Sequence, residues 1–381
     1  MLEMNICICF NIVMKTKIWV IIALIIIILV GVGLSQNYGK AKGGPIKVGA
    51  TLSLTGAAAF WSESAKNGAE MAVEEINSKG GVNGRPIQVI YEDSQSNPSK
   101  DVSSFHKLVN VDKVDVMISD VWAFLSNPLV PLSESNKIVT ISPTVMDNSV
   151  EGTSTYFFTM GHTTSSIKGA IEKFFDVNPS AKTVGIICWN ANTWGVAFTK
   201  AYEDVAKERG IKIVAETCSG DFMVDYRIEA VKMKAANPDV ILVVGWGDRA
   251  VKTLKNLGVN IPILVDSNLV DGFENSDSVS LEQLKNVFVI DWRPNQEFAS
   301  KYKNKYGKYP VLEAQNSYEL IRSIAKAYEN SPNDLLAGLK KVKYESVDGN
   351  IDFTSGTNIN PNKSQAGLFK ILGKGNYEEV K

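Results

Sequence analysis

AKNGAEMAVEEINSKGGVNGRPIQVIYEDSQSNP, residues 65–98, combines a helix, a turn and a strand in immediate succession. Apolar side chains in its first part recur at the 3.6-residue period of an amphipathic helix: Ala65, Ala69, Ala72, Val73 and Ile76. Gly80 and Gly81 follow, and glycine is typical of a helix end. The next apolar run, IQVIYE at 87–92, predicts a strand. The stretch therefore predicts a helix over 61–78 that a glycine turn connects to a strand.

The same alternation of strand and helix extends over the rest of the chain. The first unit has predicted strands at 46–52, 87–92, 114–119 and 137–142, with helices near 61–78, 98–110 and 124–135. The second unit has predicted strands at 183–189, 211–217, 239–246 and 262–266, with helices near 164–176, 194–209, 225–236 and 248–257. A strand at 286–291 and helices near 295–306, 313–329 and 333–341 follow. The strands consist largely of Val, Ile and Met, which indicates parallel sheets covered by helices on both faces.

Length and composition limit the class of protein. The chain has 381 residues, of which 45% are hydrophobic and 21% charged, so two globular units with their own cores are expected. The formal net charge is −1, and Lys and Arg are scattered along the sequence. Because binding to phosphate backbones requires a basic face, nucleic acid is excluded as the expected partner.

The N-terminal residues divide into three predicted segments: a doubtful extension (1–13), a signal peptide or membrane anchor (14–34) and a flexible tether (35–45). Residues 18–34 carry no charge, which suits a signal-peptide core or a minimal transmembrane helix. Lys15 and Lys17 precede this run and predict that the chain after residue 34 is translocated. We expect the folded body outside the cytoplasm, either released or anchored to the membrane.

The folded body contains two cysteines, Cys188 and Cys218. Each ends a predicted strand, and the two strands are consecutive, which allows a disulfide. Two buried free thiols are the favoured interpretation, because free cysteine is among the most buried residue types.

Motifs of covalent chemistry are missing from the sequence. It contains no phosphate-binding G-x-x-x-x-G-K-[ST] loop, no G-x-S-x-G elbow and no H-E-x-x-H zinc motif. Only two histidines occur, so a zinc site of the usual kind has no ligand set. We therefore expect a protein that is not an enzyme and that uses neither a cofactor nor a metal.

Residues 65–98, together with VGATLSLTG at 48–56, closely resemble type I periplasmic binding proteins, in particular the Leu/Ile/Val-binding group of ABC-transporter receptors. VDVMIS, ESNKIVTISP, KAANPDVILVVGW and GNIDF add to the resemblance, which covers 46–381. It implies an α/β fold of two Rossmann-like lobes with parallel sheets, joined by three crossovers near residues 160, 290 and 347. The implied lobes are 46–160 plus 290–346 and 161–289 plus 347–381.

Ligand contacts in this family come from strand ends, and the resemblance assigns them position by position. The implied contacts are Trp61, Trp122, Ala123, Ser142, Thr144, Met146, Trp194, Trp246, Asp266 and Ser267. Trp122 and Ala123 stand where the family commonly has a serine pair, and Trp61, Trp194 and Trp246 each replace a tyrosine. Trp189, at another strand end, is a fifth and weaker aromatic candidate. Core packing would explain any one of these tryptophans, but four at strand ends in both units favour an aromatic cleft.

These replacements alter the ligand that the resemblance implies. Loss of the serine hydroxyls removes donors to a carboxylate, but backbone N–H groups at the helix N-terminus near Ala123 remain as an alternative anion site. Indole faces attract cations with roughly 0.5–2 kcal/mol per desolvated contact, and they stack flat rings or apolar groups with similar energy. Asp120, Asp248 and Asp266 are near the same strand ends. An aromatic cage with a carboxylate would suit a bulky ammonium group, and leucine-type recognition is less well supported.

The expected function is that of an extracytoplasmic solute-binding receptor of an ABC importer. A monomer would bind an amino acid, or a related small amine, amide or aromatic solute, between the lobes and deliver it to a membrane permease. Closure of the lobes would follow from the higher affinity of the closed state for the solute. The alternative is a membrane-anchored ligand sensor of the same fold without a transport role.

Overall fold

The computed structural model of the chain describes residues 43–144, 152–161, 164–191, 193–219, 225–346, 349–354, 358 and 365–381. The predicted signal peptide or anchor at 14–34 and the candidate contact Met146 are outside these residues. Within the described part of the chain, every helix is too short or too polar to span a bilayer.

A five-stranded parallel sheet forms the centre of the first lobe, with strand order β2-β1-β3-β4-β5. Its strands are β1 (Ile46–Leu52), β2 (Ile87–Asp93), β3 (Val116–Ile118), β4 (Thr140–Ser142) and β5 (Phe157–Thr159). The helices between them are α1 (Ala59–Ser78), α2 (Pro98–Lys107), α3 (Ala123–Ser126) and α4 (Leu129–Asn136), and a π-helical turn, Leu108–Asp112, extends α2. The predicted alternation is confirmed, although β3 and β4 are shorter than predicted.

A seven-stranded sheet forms the second lobe, with strand order β14-β13-β10-β9-β8-β6-β7. The parallel strands are β6 (Thr183–Trp189), β7 (Lys212–Ser219), β8 (Val240–Val243), β9 (Ile263–Val265) and β10 (Val287–Asp291). The helices of this lobe are α5 (Lys168–Asp176), α6 (Thr193–Glu208), α7 (Arg227–Ala236), α8 (Gly247–Asn256) and α9 (Asn268–Asn275), and a 3₁₀ turn, Thr164–Ile167, precedes α5. Two antiparallel edge strands near the C-terminus complete the sheet: β13 (Gly367–Gly373) and β14 (Asn376–Glu379).

Three helices and a short hairpin follow β10 and pack mainly against the first lobe: α10 (Gln296–Tyr306), α11 (Leu312–Asn330), α12 (Leu335–Leu339), β11 (Lys343–Ser346) and β12 (Gly349–Asp352). Ile351 and Phe353 belong to the same hydrophobic core as β1 and α1. The lobe boundaries stay a prediction, and this packing favours a third crossover after Phe353 rather than near 347.

Helices α1 and α11 pack closely because Gly68 lets their backbones approach. A Cβ atom built on Gly68 would lie 1.9 Å from the carbonyl oxygen of Ala314. Glycine in a helix interior lowers helix stability by about 1 kcal/mol relative to alanine. The close packing of α1 against α11 offsets this loss of stability.

We expect Gly68→Ala to destabilise the protein by about 1–3 kcal/mol, because the added methyl group meets backbone and not a flexible side chain. Gly169→Ala in α5 is the matched control, since among the described residues no atom lies within 4 Å of its added Cβ. That variant should be as stable as the parent or slightly more stable. Thermal unfolding followed by circular dichroism measures both, and equal melting temperatures for the two variants would contradict the close-packing argument.

Cys188 and Cys218 form a disulfide, so the favoured prediction of two free thiols is wrong. The two residues are directly paired in the parallel register of β6 and β7. Cys218 is exposed at this edge strand, whereas Cys188 is buried. The register of the sheet brings the two sulfur atoms together, and a register between strands 30 residues apart is not visible in local sequence.

Removal of the disulfide should lower the free energy of unfolding by about 3–4 kcal/mol in the chain-entropy model for a crosslink of this separation. We expect a lower melting temperature after reduction and in the Cys188→Ala/Cys218→Ala double variant. Reductant should not change the melting temperature of the double variant, which controls for Cys7 and Cys9. A parent protein whose melting temperature does not respond to reductant would contradict the prediction.

Candidate functional site

A cavity of about 870 Å³ lies where the strand ends of the two lobes face each other. Six tryptophans line it: Trp61, Trp122, Trp189, Trp194, Trp246 and Trp292. They are all the tryptophans after residue 19.

Sheet topology brings the tryptophans together. Trp189 is the last residue of β6, Trp122 follows β3, Trp246 follows β8, and Trp292 follows β10. Trp61 is in the first turn of α1, a few residues after β1. In a parallel sheet the carboxyl ends of the strands share one edge, so residues distant in sequence converge there.

Four of the indoles surround the space in a closed ring of contacts. The ring centroids of Trp61 and Trp122 are 5.5 Å apart, and those of Trp61 and Trp246 are 5.7 Å apart. Trp189 completes the ring at 6.4 Å from Trp246 and 6.5 Å from Trp122. Tilted and edge-on pairs at these distances attract one another through their quadrupoles. The arrangement gives the cavity rigid aromatic walls from both lobes.

A hydrogen bond joins the lobes at the edge of this ring. Trp61 Nε1, in the first lobe, donates to Asp271 Oδ2, in α9 of the second lobe, over 2.9 Å. Trp246 packs against hydrophobic cores of both lobes. The structure therefore has the lobes in contact across the cavity.

Three carboxyl groups line the cavity, Asp271, Asp291 and Glu313. Burial raises the pKa of Glu313 to about 7, and repulsion from Asp291 adds to the effect. Burial, with repulsion from Glu313 and Asp291, also raises the pKa of Asp271 well above its usual range. The cavity wall thus holds acids that lose protons less readily than they would in water.

Arg293 also lines the cavity, and its guanidinium group forms an ion pair with Asp291. Its Nη1 is 3.3 Å from Asp291 Oδ2, and its Nη2 donates to the Tyr309 hydroxyl over 2.7 Å. The guanidinium carbon is 3.4 Å from the ring centroid of Tyr377. Burial is the main influence on the pKa of Asp291 and raises it, while Arg293 opposes that effect.

The predicted site residues divide into three groups. Seven line the cavity: Trp61, Trp122, Ala123, Thr144, Trp194, Trp246 and Ser267. Ser142 and Asp266 do not line it, and Met146 is outside the described residues. A ligand role for any of them stays a prediction.

Asp266 and Ser142 form hydrogen bonds with the backbone of loops that line the cavity. The carboxylate of Asp266 accepts hydrogen bonds from the backbone N–H groups of Gly245 and Asn268, at 2.6 and 2.9 Å. These bonds fix the two strand-end loops that carry Trp246 and Ser267. The hydroxyl of Ser142 accepts from the backbone N–H of Thr144 over 3.3 Å. Both side chains are fully buried.

The other two carboxylates considered from sequence are also not in this cavity. Asp120 is fully buried and accepts hydrogen bonds from Ser53 and Ser94, which makes it part of the first lobe's polar core. Asp248 lines a neighbouring pocket, beside Arg249, that shares Trp61, Trp246 and Asp271 with the cavity.

Sequence reasoning missed Trp292, Arg293, Asp271, Asp291 and Glu313. Trp292 directly follows a predicted strand, so the rule that selected the other strand-end tryptophans could have found it. Asp271 and Glu313 are in the first turns of α9 and α11, and their approach to the cavity depends on how these helices pack.

Comparison with known proteins identifies the family. A family model described as periplasmic binding protein matches residues 45–371. The leucine-, isoleucine-, valine-, threonine- and alanine-binding protein of Pseudomonas aeruginosa is 23% identical over 81% of this chain and 85% of its own length. The Leu/Ile/Val-binding protein BraC3 of Rhizobium johnstonii is 25% identical over 61% of this chain, and the match spans 63% of that relative's length.

Solved structures share the fold. The branched-chain amino acid transporter substrate binding protein LivJ of Streptococcus pneumoniae, in complex with isoleucine, superposes with a TM-score of 0.76 at 22% identity, covering 88% of this chain and 98% of that chain. An ABC-transporter solute binding protein of R. palustris, in complex with benzoate, gives a TM-score of 0.75 at 18% identity, covering 88% and 95%. The two lobes and the match over residues 45–371 show that the chain belongs to the periplasmic binding protein family.

Proposed function

We propose that the protein is an extracytoplasmic receptor that binds a small solute between its lobes and delivers it to an ABC permease. The observation that carries this proposal is the cavity between the lobes, which is walled by six tryptophans and reached by α1 from one lobe and α9 from the other. Contacts from both lobes let a bound solute favour the closed state, because the open state would lack half of them.

The relatives support a transport role. Their names and complexes include branched-chain amino acids and benzoate, both small organic solutes. We propose that the ten predicted residues, less Ser142 and Asp266, contact the solute, together with Trp189 and Trp292. Ser142 and Asp266 position the loops. The receptor would act as a monomer.

The Cys188–Cys218 disulfide supports a place outside the cytoplasm, because disulfides persist in oxidising compartments. The apolar run at 18–34 supports export by a signal peptide or retention by an N-terminal anchor. The tether at 35–45 would then separate the folded body from the membrane.

A thermal-shift screen of the full chain tests the proposal, with intrinsic tryptophan fluorescence as a second readout. The panel contains amino acids, amides, amines and aromatic acids. A compound present at 100 times its dissociation constant should stabilise the folded state by about 2.7 kcal/mol, which raises the melting temperature by several degrees. Absence of stabilisation by every compound, or chemical conversion of a bound one, would contradict the proposal.

A further inference from the structure

We propose that the cavity selects a solute that carries a positive charge and no carboxylate, namely a small amine or quaternary ammonium compound with an apolar or aromatic body, held by Asp271 and Glu313. This inference rests on the proposed function and names the solute class of the same cavity. It follows from the charges, the donors and the aromatic faces that the cavity presents.

The charged groups of the cavity favour a cation. The lining contains three carboxyl groups and one guanidinium group. Among the described residues, Arg293 is the one Lys, Arg or His side chain in the lining. Asp291 compensates its charge at 3.3 Å, and Tyr309 accepts one of its hydrogen bonds. Among the described lining residues, Asp271 and Glu313 therefore have no ion-pair partner. Asp271 accepts a hydrogen bond from Trp61, and the charge of Arg293 opposes the rise in the pKa of Asp271 that burial causes. Burial of a carboxylate without an ion-pair partner is costly. A cationic solute supplies the missing charge.

The strand end after β3 offers a carboxylate no side-chain hydroxyl, because Trp122 and Ala123 line the cavity there. The hydroxyl and amide donors of the lining are Thr144, Ser267, Asn268 and Tyr309, and the Tyr309 hydroxyl is already hydrogen-bonded to Arg293. The remaining aromatic wall offers ring faces, and ring faces attract ammonium groups more strongly when water is excluded. A solute carboxylate near Asp271 and Glu313 is repelled when these acids are ionised, so its binding requires that they stay protonated.

Protonation of Asp271 and Glu313 should make the binding of a cationic solute depend on pH. The pKa of Glu313 is about 7 in the solute-free protein, and that of Asp271 is raised well above its usual range. The charged and titratable groups near them in the cavity are Asp291, the last residue of β10, Arg293, two residues further on, and Tyr309, which precedes α11. Asp248 and Arg249 of α8 line the adjoining pocket with Asp271. A bound cation favours the ionised acids, so its binding should release protons and strengthen as the pH rises through about 7.

Four probes with one benzyl body separate the contributions: benzyltrimethylammonium, benzylamine, benzyl alcohol and benzoate. The two cations should bind at least about tenfold more tightly than benzyl alcohol, and benzoate should bind more weakly than benzyl alcohol. Affinity for benzyltrimethylammonium, whose charge does not titrate, should rise about tenfold between pH 6 and pH 8 if one group of pKa about 7 controls it. Isothermal titration calorimetry of the full chain measures these affinities.

Variants assign the effect to the two acids. Glu313→Gln and Asp271→Asn should each weaken benzyltrimethylammonium binding by about tenfold or more while changing benzyl alcohol binding little. Glu313→Gln should also flatten the pH dependence. Glu329→Gln, at the exposed end of the same helix, is the matched control and should change neither affinity.

The outcomes distinguish the inference from the proposed function. Tighter binding of benzoate or isoleucine than of both cations would overturn the cationic class and leave the receptor function intact. Equal affinities of the four benzyl probes, or unchanged cation affinity in both acid variants, would also overturn it. Failure of the whole panel to stabilise the protein would remove the proposed function itself.

Discussion

Trp61→Ala is expected to weaken solute binding by about 100-fold or more, the largest effect of any single change in the cavity wall. The indole of Trp61 contacts two others, Trp122 and Trp246, and its Nε1 donates to Asp271 across the lobes. Truncation would remove a wall from the first lobe and one bond that favours closure. Calorimetric titration with the tightest-binding compound of the solute panel measures the loss.

Trp61→Phe separates the two contributions. Phenylalanine keeps an aromatic face but cannot donate to Asp271, so we expect an affinity loss of about tenfold, near the contribution of one hydrogen bond. The melting temperature of both variants without solute must also be recorded, because Trp61 packs in the core of the first lobe. Affinity within threefold of the parent in a folded Trp61→Ala variant would remove Trp61 from the binding site.

The fold could be predicted from sequence because its determinants are local. Residues 65–98 combine helical periodicity, a glycine turn and a β-branched strand, and the structure has α1 and β2 there. The prediction made β3 and β4 too long, because apolar residues precede each strand: Val114 before β3, and Ile138 and Val139 before β4. The Cys188–Cys218 bond depended on the register of two strands, which local patterns do not encode.

Only some of the cavity-lining residues could be predicted from sequence, because the others depend on how helices pack. Strand-end positions follow from sheet topology, so the strand-end tryptophans could be placed without coordinates. Asp271 and Glu313 reach the cavity from the first turns of α9 and α11, and their direction depends on how these helices pack. The resemblance implied an acid near Ser267 as a solute contact, and the neighbouring Asp266 accepts hydrogen bonds from two backbone N–H groups. The role of Asp266 as a contact stays a prediction.

Stability should fall by about 2–4 kcal/mol between pH 5 and pH 8 because of a single buried acid in the first lobe, Asp101. This side chain is fully buried in α2, and among the described residues neither of its carboxylate oxygens has a hydrogen-bond partner. Burial, reinforced by repulsion from Asp120, raises its pKa to about 8 from the usual 3.8. The folded state therefore keeps a proton that the unfolded chain releases near pH 4, so stability decreases as the pH rises between these two values.

Asp101→Asn should remove this part of the pH dependence, because an amide of nearly the same shape does not ionise. At pH 5 we expect the variant to match the parent closely, since the parent carboxyl is then protonated in the folded state. At pH 8 the variant should be the more stable protein, because it avoids the buried carboxylate. Urea unfolding at both pH values measures the difference, with the fully exposed Asp277→Asn as the matched control. Asp266 and Glu313, whose pKa values are about 7, should each add a decline of about 2 kcal/mol between pH 5 and pH 7, and this decline stays in the Asp101→Asn variant. An identical pH slope in Asp101→Asn and the parent would show that Asp101 is ionised in the folded protein throughout this range.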